Sequence, residues 1–180
     1  MNLYLLRHTS VEKKYQKCYN GSFDVDIDLD FIKTQKFIDR KKELEKIDFD
    51  SIYSSKLQRS IKTLEHLDYI NFIQTPLINE VSFKFEGQNF NDFKHLAPPN
   101  AMSSTKNWCD FILNESIDNF RARAKSFLDS LNGKNILICS HLGAIAMMLS
   151  IIQKRDFYEV FDEAVKIEYL DLIKINSLKL

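Results

Sequence analysis

Four short stretches of this chain carry residue types suited to holding an anion and attacking it. Leu5-Leu6-Arg7-His8-Thr9 closes one apolar run on an arginine–histidine pair, and Ile138-Cys139-Ser140-His141-Leu142-Gly143 closes another on a second histidine. Imidazole can attack phosphorus and leave again, which suits a covalent intermediate. An adjacent guanidinium offers a forked donor set for phosphate oxygens and favours the neutral, nucleophilic ring. Ser55-Lys56-Leu57-Gln58-Arg59 opens a helical stretch. Ser55 is an expected N-cap, the helix start offers N–H groups to an anion, and Arg59 in the first turn points the same way. His141 is expected at the start of an apolar helix, where the helix dipole adds to its hydrogen bond. Glu80, ahead of the aromatic stretch Phe83 to Phe90, is the candidate acid for a leaving alkoxide, with Glu86 as its competitor. Each feature alone is equally a surface pair, a capped helix, a core histidine or a solvated glutamate.

These residues need elements to bring them together. Asn2 to Leu6, Ser51 to Tyr53, Asn71 to Gln74 and Asn135 to Cys139 read as strands, and Val165 to Ile175 as a final one. Leu29 to Ile47 has helical spacing, with Leu29, Ile32, Phe37, Leu44 and Ile47 as expected core contacts. Leu57 to Leu67, Ser116 to Leu131 and Leu142 to Ile152 are further helices, the second of these ended well by Asn132-Gly133 and the last strongly apolar. Thr9 to Asp28 and Ile78 to Asn107 read as irregular, and connections that long are often functional. Alternating strands and helices predict an α/β domain over residues 1–180: a three-layer α/β/α sandwich on a largely parallel sheet. In such sheets the carboxyl ends of the strands carry the site, which is where both histidines fall.

The 180 residues include 25 basic and 25 acidic side chains, so any anion specificity is local, and neither nucleic acid nor a membrane is an expected partner. The basic stretch Lys33 to Lys46 is interrupted by Glu43 and Glu45 and reads as a solvated helix face. Cys18, Cys109 and Cys139 are too few and too scattered for a disulfide framework or a zinc cluster. No metal or other cofactor is expected. With no long apolar N-terminal stretch, the expectation is a cytoplasmic protein. Oligomeric state is left open by the sequence.

In chain order the motifs are Arg-His after the first strand, Ser-x-Leu-x-Arg after the second, an acid after the third and Ser-His-x-Gly after the fourth. Together they resemble the histidine phosphatase, or phosphoglycerate mutase-like, superfamily over nearly the whole chain. Arg7-His8-Thr9-Ser10-Val11, followed by Cys18-Tyr19-Asn20-Gly21-Ser22-Phe23-Asp24-Val25, is most similar to its α-ribazole phosphatase group, with one extra residue near Asn20. The resemblance implies a phosphomonoesterase acting on a small phosphate ester, α-ribazole 5′-phosphate among the candidates. It implies His8 as the phosphate-accepting nucleophile, Arg7, Arg59 and His141 as the phosphate clamp, and Glu80 as the proton donor. The Tyr15 to Phe23 loop, with Asn20, Gly21 and Ser22, and the Phe83 to Trp108 segment are expected to form the pocket rim. Their aromatic content suggests a substrate with an apolar or planar part.

Some positions depart from the family pattern. Lys14 stands where many relatives carry an asparagine. Leu142 replaces a smaller residue. Glu80 to Gly87 is one residue shorter than the usual Glu-x-x-Phe-Gly-x-Trp-Glu-Gly. The alternatives are a mutase-type phosphotransferase, a phosphohistidine protein phosphatase and a non-catalytic phosphate-binding module. A mutase is argued against by the short chain and by Glu80-Val81-Ser82-Phe83-Lys84, where the glycolytic mutases carry Glu-Arg-His-Tyr-Gly.

Overall fold

A computed structural model describes residues 1–176. Ser177 to Leu180, which the expected 1–180 domain includes, lie outside the described residues. Alternating side chains of the first strand point to opposite faces, so an apolar run can serve two cores at once. In β1 (Asn2–Arg7), Leu3 and Leu5 enter one core and Leu6 the other. In β6 (Asn135–Ser140), Ile136 and Ile138 join the first core, Leu137 and Cys139 the second.

The other main-sheet strands are β3 (Ser51–Ser55), β4 (Ile73–Thr75) and β7 (Leu172–Ile175). Their order is β4-β3-β6-β1-β7. All neighbours run parallel except β7, which lies antiparallel along β1. Helices α1 (Gln35–Leu44) and α2 (Gln58–His66) place Phe37, Leu44 and Leu64 in the second core. Helices α5 (Ile117–Asp129), α6 (Leu142–Gln153) and α7 (Phe157–Ala164) supply the first core from the opposite face. The result is the expected three-layer α/β/α sandwich on a mostly parallel sheet.

Several boundaries differ from the sequence reading. Helix α1 starts at Gln35, because Thr34 caps it by accepting from the Phe37 N–H, and Leu29 is 56% exposed rather than in the core. The Val165 to Ile175 strand is only β7. Val165 to Asp171 instead forms a turn in which Leu170 takes a left-handed backbone (φ +65°) and donates its N–H to the Arg7 carbonyl. Helix α7, preceded by its N-cap Asp156, places Phe157, Val160 and Ala164 in the core, a one-face spacing overlooked in the sequence.

The Ile78 to Asn107 stretch is less irregular than expected. It contains β5 (Gln88–Asn89), paired antiparallel with β2 (Cys18–Tyr19), and a short α3 (Phe90–Phe93). It then runs into α4 (Thr105–Ile112), capped by Ser104. Aromatic rings hold this region together: Phe85 stacks on Phe93 at 4.5 Å, and Trp108 packs edge-on against Phe90 at 5.4 Å. Tyr19, 5.6 Å from Phe83 and 5.9 Å from Trp108, ties the Tyr15 to Phe23 loop to the same aromatic group.

Candidate active site

The sheet register explains why two histidines 133 positions apart meet. Arg7 of β1 pairs with Ser140 of β6, so the residues that follow, His8 and His141, leave the sheet side by side. The His8 N–H donates to the Ser140 carbonyl at 2.9 Å, and the two rings lie 5.0 Å apart. Both side chains are almost fully buried. The same register logic brings in β3. Ser54 pairs with Cys139, and Ser55, next along, places its Oγ 2.7 Å from His141 Nε2.

The protonation of each ring follows from its partners. His8 Nδ1 lies 2.6 Å from the Thr9 carbonyl, which can only accept, so Nδ1 carries the proton and Nε2 keeps its lone pair. His141 Nδ1 accepts from Arg59 Nε at 3.1 Å, so its proton sits on Nε2 and goes to Ser55 Oγ. Burial, with Arg59 and Arg7 nearby, pushes His8 well below the ordinary histidine range. Burial and Arg59 do the same to His141. Both rings are therefore neutral at pH 7.

Arg59, in the first turn of α2, is 2% exposed. Its remaining bonds go to the carbonyls of Gly21 (2.6 Å) and Phe23 (2.9 Å), which fasten the Tyr15 to Phe23 loop over the site. Arg7 lies over the Tyr169 ring at 4.4 Å and donates to the Ile167 carbonyl, while its Nε is buried with no protein partner. Burial lowers both arginines from their ordinary value, with Tyr169 and Glu80 acting the other way on each. An arginine stays charged in a protein nonetheless. Arg40, Arg123 and Arg155 have carboxylate partners, but among the described residues Arg7 and Arg59 have none. A buried and a part-buried guanidinium, neither in an ion pair among the described residues, beside a ring with a free lone pair form a candidate anion site.

Two expectations about helix N-termini are corrected. Ser55 does not cap α2: the helix begins at Gln58, and Ser55 Oγ instead accepts from the Leu57 N–H. The Gln58 N–H goes to Asp24 at 2.7 Å, so this helix start is already taken by a carboxylate. The start of α6 is likewise taken, by Glu80: Oε2 accepts from Gly143 N at 3.0 Å and Oε1 from Ala144 N at 3.2 Å. Anion binding therefore falls on side chains rather than on helix ends. Gly143 is required for this approach, because a Cβ there would collide with Glu80 Oε1.

Arg7, His8, Arg59 and Glu80 share one cavity of about 640 Å³, with His141 directly behind His8 and Arg59. Asn20 and Gly21 line it, and Ser22 does not. Ser22 is turned away, its N–H and hydroxyl both bonded to Glu86 (2.7 and 2.8 Å). Glu86 Oε1 also accepts from Phe83 N at 3.0 Å, so this carboxylate braces the two rim segments against each other and lies outside the cavity. Gly21 sits in that junction at φ +46°, where a Cβ would meet the Phe83 ring at 2.6 Å. Lys14 is exposed, pairs with Glu12 and does not reach the cavity. His66, at the end of α2, and His95 lie apart from it. Among the described residues no group of histidine, cysteine or carboxylate side chains is arranged to hold a metal ion. No helix among them is long and apolar enough to cross a membrane.

Tyr169 and α7 entered the site without warning from the sequence. Tyr169 was hidden inside an apparent strand, and its neighbour Leu170 has an unusual backbone for a branched apolar residue. Phe157, Phe161 and Asp162 of α7 line the far side of the cavity.

The sequence profile of the histidine phosphatase superfamily (branch 1) matches residues 3–176. The chain belongs to that superfamily. No curated protein sequence matches it closely enough to add a relative. Among solved structures, the α-ribazole phosphatase from Shigella flexneri is similar at 21% identity, over 90% of this chain and 84% of that one, with a TM-score of 0.75. The phosphoserine phosphatase from Entamoeba histolytica, in complex with 3-phosphoglyceric acid, is similar at 19% identity over 96% and 89%, TM-score 0.74. A mycobacterial glucosyl-3-phosphoglycerate phosphatase gives 15% identity over 96% and 88%, TM-score 0.75. At these identities the likeness establishes the phosphoglycerate mutase-like fold of this superfamily member, and the chemistry has to be argued from its own side chains.

Proposed function

We propose that this histidine phosphatase superfamily member is a phosphomonoesterase that works through a phosphohistidine on His8. The observation that carries the reading is the His8 ring: Nδ1 is committed to the Thr9 carbonyl, and Nε2 keeps a free lone pair in the field of two guanidiniums, Arg7 and Arg59, that have no carboxylate ion-pair partner among the described residues. In the first step Nε2 attacks phosphorus in line. The P–N bond forms, the P–O ester bond breaks, and the leaving oxygen takes a proton that Glu80 relays from the monoanionic form of the bound ester. Arg7 and Arg59 hold the equatorial oxygens as charge shifts across the phosphoryl group. Neutral His141 accepts from Arg59 Nε and so orients that guanidinium, while Ser55 Oγ accepts from His141 Nε2 and fixes the ring. In the second step Glu80 takes a proton from water, which attacks the phosphohistidine and releases inorganic phosphate.

For Glu80 to deliver a proton, one of its oxygens must exchange a main-chain N–H of α6 for the leaving group. Its position at the cavity wall makes that exchange short-range. A small-molecule ester is favoured over a protein substrate, because the cavity has the volume of an ordinary small-ligand pocket. The largely aromatic and aliphatic walls suit a planar or apolar leaving group. α-Ribazole 5′-phosphate is the specific candidate, supported by the N-terminal motif and by the similarity to the Shigella flexneri enzyme.

Rapid quench with an aryl phosphate tests the mechanism. An acid-labile, base-stable phosphoryl adduct on His8 is expected, and His8→Ala should lack both adduct and turnover. Near-normal phosphate release by His8→Ala would overturn the proposal.

A further inference from the structure

The half of the cavity beyond the phosphate end has a distinctive charge pattern. Its walls are Tyr19, Phe90 and Trp108 on the rim side and Phe157 and Phe161 on the α7 side. Among the described residues no lysine lines the cavity, and the arginines that do are Arg7 and Arg59 at the phosphate end. Away from that end the one ionisable group with a full charge is Asp162. The Thr105 hydroxyl donates to Asp162 Oδ1, which holds the carboxylate in place at the junction of α4 and α7.

A second polar group here is Asn20. Its Nδ2 donates to the Tyr15 carbonyl at 2.9 Å, which fixes the orientation of the amide, because a flipped amide would set two oxygens face to face. Oδ1 is thereby left buried, without a protein partner, in the cavity wall. A buried acceptor is costly unless a donor meets it. The Tyr19 hydroxyl accepts from the Trp108 side chain and keeps its own O–H to donate. Two acceptors line the cavity, the unpartnered Asn20 Oδ1 and the Asp162 carboxylate, whose Oδ1 also takes the Thr105 hydroxyl, and the surfaces around them are largely aromatic.

We infer that the leaving group this cavity selects is an aromatic body carrying hydrogen-bond donors or a positive charge, and that Asp162 excludes esters whose leaving group bears a carboxylate. The inference rests on the phosphomonoesterase reading for what happens at the phosphate end, but the selectivity belongs to the cavity itself. A carboxylated ester such as phosphoserine or a phosphoglycerate would bring a second anion into a half-cavity that offers no cation and one aspartate. An aromatic cation would gain ring-stacking area from Tyr19 and Trp108 and an opposite charge from Asp162. Asp162 is exposed, so solvent screens it. One charge reversal at such a solvent-screened position is expected to change selectivity by about three- to tenfold.

The test uses the full chain and three matched esters: benzyl phosphate, 4-(aminomethyl)benzyl phosphate and 4-carboxybenzyl phosphate. Their methylene phosphonates serve as non-hydrolysable ligands for calorimetry. The expected order, in both kcat/KM and phosphonate affinity, is aminomethyl above benzyl above carboxy. Asp162→Asn should compress the order, and Asp162→Lys should invert its two ends. A wild-type protein that prefers the carboxylated ester, or ranks all three equally, overturns the inference, as does an order unchanged in Asp162→Lys. The expected binding order without phosphate release sinks the phosphatase reading and supports the cavity selectivity. Equal release from all three esters does the reverse. If none of the phosphonates binds, both fall.

Discussion

Gly143→Ala is the substitution that most directly tests how Glu80 is held. Gly143 is the second residue of α6 and lies against the Glu80 carboxylate. A Cβ added there would fall well inside contact distance of Oε1 and at 3.2 Å from Cδ. The Glu80 side chain is the part free to move, because Gly143 is fixed in a helix whose next residues are buried on all sides. Glu80 would shift by about an ångström and lose its bonds to Gly143 N and Ala144 N, each worth about 1.5–3 kcal/mol for a charged acceptor. Water would replace part of this, and alanine is the better helix former by about 1 kcal/mol. The net expectation is a destabilisation of about 1–3 kcal/mol, the sum of those opposing effects.

The catalytic consequence is larger than the structural one. A misplacement of that size costs about 10² in rate when the group must meet a developing charge. The assay compares phosphate release from an alkyl ester, whose leaving oxygen needs a proton, with release from 4-nitrophenyl phosphate, whose leaving oxygen does not. Gly143→Ala should lose about 10² on the alkyl ester and far less on the nitrophenyl ester. Thermal melting supplies an independent readout. If Gly143→Ala melts higher than the parent, the helix gain is unopposed and the contact with Glu80 is absent. If it loses equally on both esters, Glu80 is not the proton donor. Either result refutes the reasoning.

Three further outcomes follow from the same geometry. His8 and His141 have folded-state pKa values well below the ordinary 6.5, so below pH 6.5 the unfolded chain binds protons that the folded chain refuses. Stability should therefore fall as pH drops, by up to about 1.4 kcal/mol per pH unit per histidine. These two groups should add no slope above pH 7, and urea midpoints at pH 7.5 and 5.5 check this, with His8→Asn removing about half of the slope. Glu86→Gln should loosen the junction between the two rim segments and raise KM by about three- to tenfold, as expected for a broken hydrogen-bonded brace. That effect should be equal for esters with good and poor leaving groups. Arg123 donates to the carbonyls of Leu77 (2.9 Å), Asn79 (2.7 Å) and Glu80 (3.3 Å) while Glu115 balances its charge, so it positions the turn that presents Glu80. Arg123→Lys cannot reproduce that fork and should lower kcat by about tenfold, selectively for alkyl esters.

What the sequence revealed, and what it hid, divides along physical lines. Strands β1 and β6 were legible because they are buried on both faces and read as unbroken apolar runs. Arg7, His8 and His141 were legible because they stand where those runs stop. Arg59 was found by its place after Ser55, but the reason given for Ser55 was wrong. Its hydroxyl serves the Leu57 N–H and His141, a tertiary contact between residues 86 positions apart that no local propensity encodes. Helix α4 escaped because its apolar residues are mixed with the aromatic rim and share its composition. Tyr169 escaped because the turn around Leu170 breaks the usual preference of branched residues for negative φ. Glu80 and Glu86 were ranked by motif position alone. What separates them in space is that α6 needs an acceptor at its start and the Gly21 loop needs a brace beneath it.

The division of labour among donors ties the fold to the chemistry. At the two helix starts that carry motif residues, free N–H groups meet carboxylates from other elements, Asp24 at Gln58 of α2 and Glu80 at Gly143 and Ala144 of α6. The main-chain donors that commonly bind phosphate are thereby spent on fixing two acidic side chains. In the proposed mechanism phosphate recognition passes to Arg7 and Arg59, which are held by carbonyls and by Tyr169 rather than by carboxylates. A carbonyl orients a guanidinium without neutralising it. The folded protein therefore keeps a buried and a part-buried positive charge with no ion-pair partner among the described residues, and carrying them is unfavourable until an anion arrives. A bound dianion removes that cost, adds charge-assisted hydrogen bonds and leaves His8 Nε2 facing phosphorus. The strain of an uncompensated site is thus resolved at the step where substrate binds, and the β1–β6 register, which sets His8 beside His141, aims the binding at the atom that reacts.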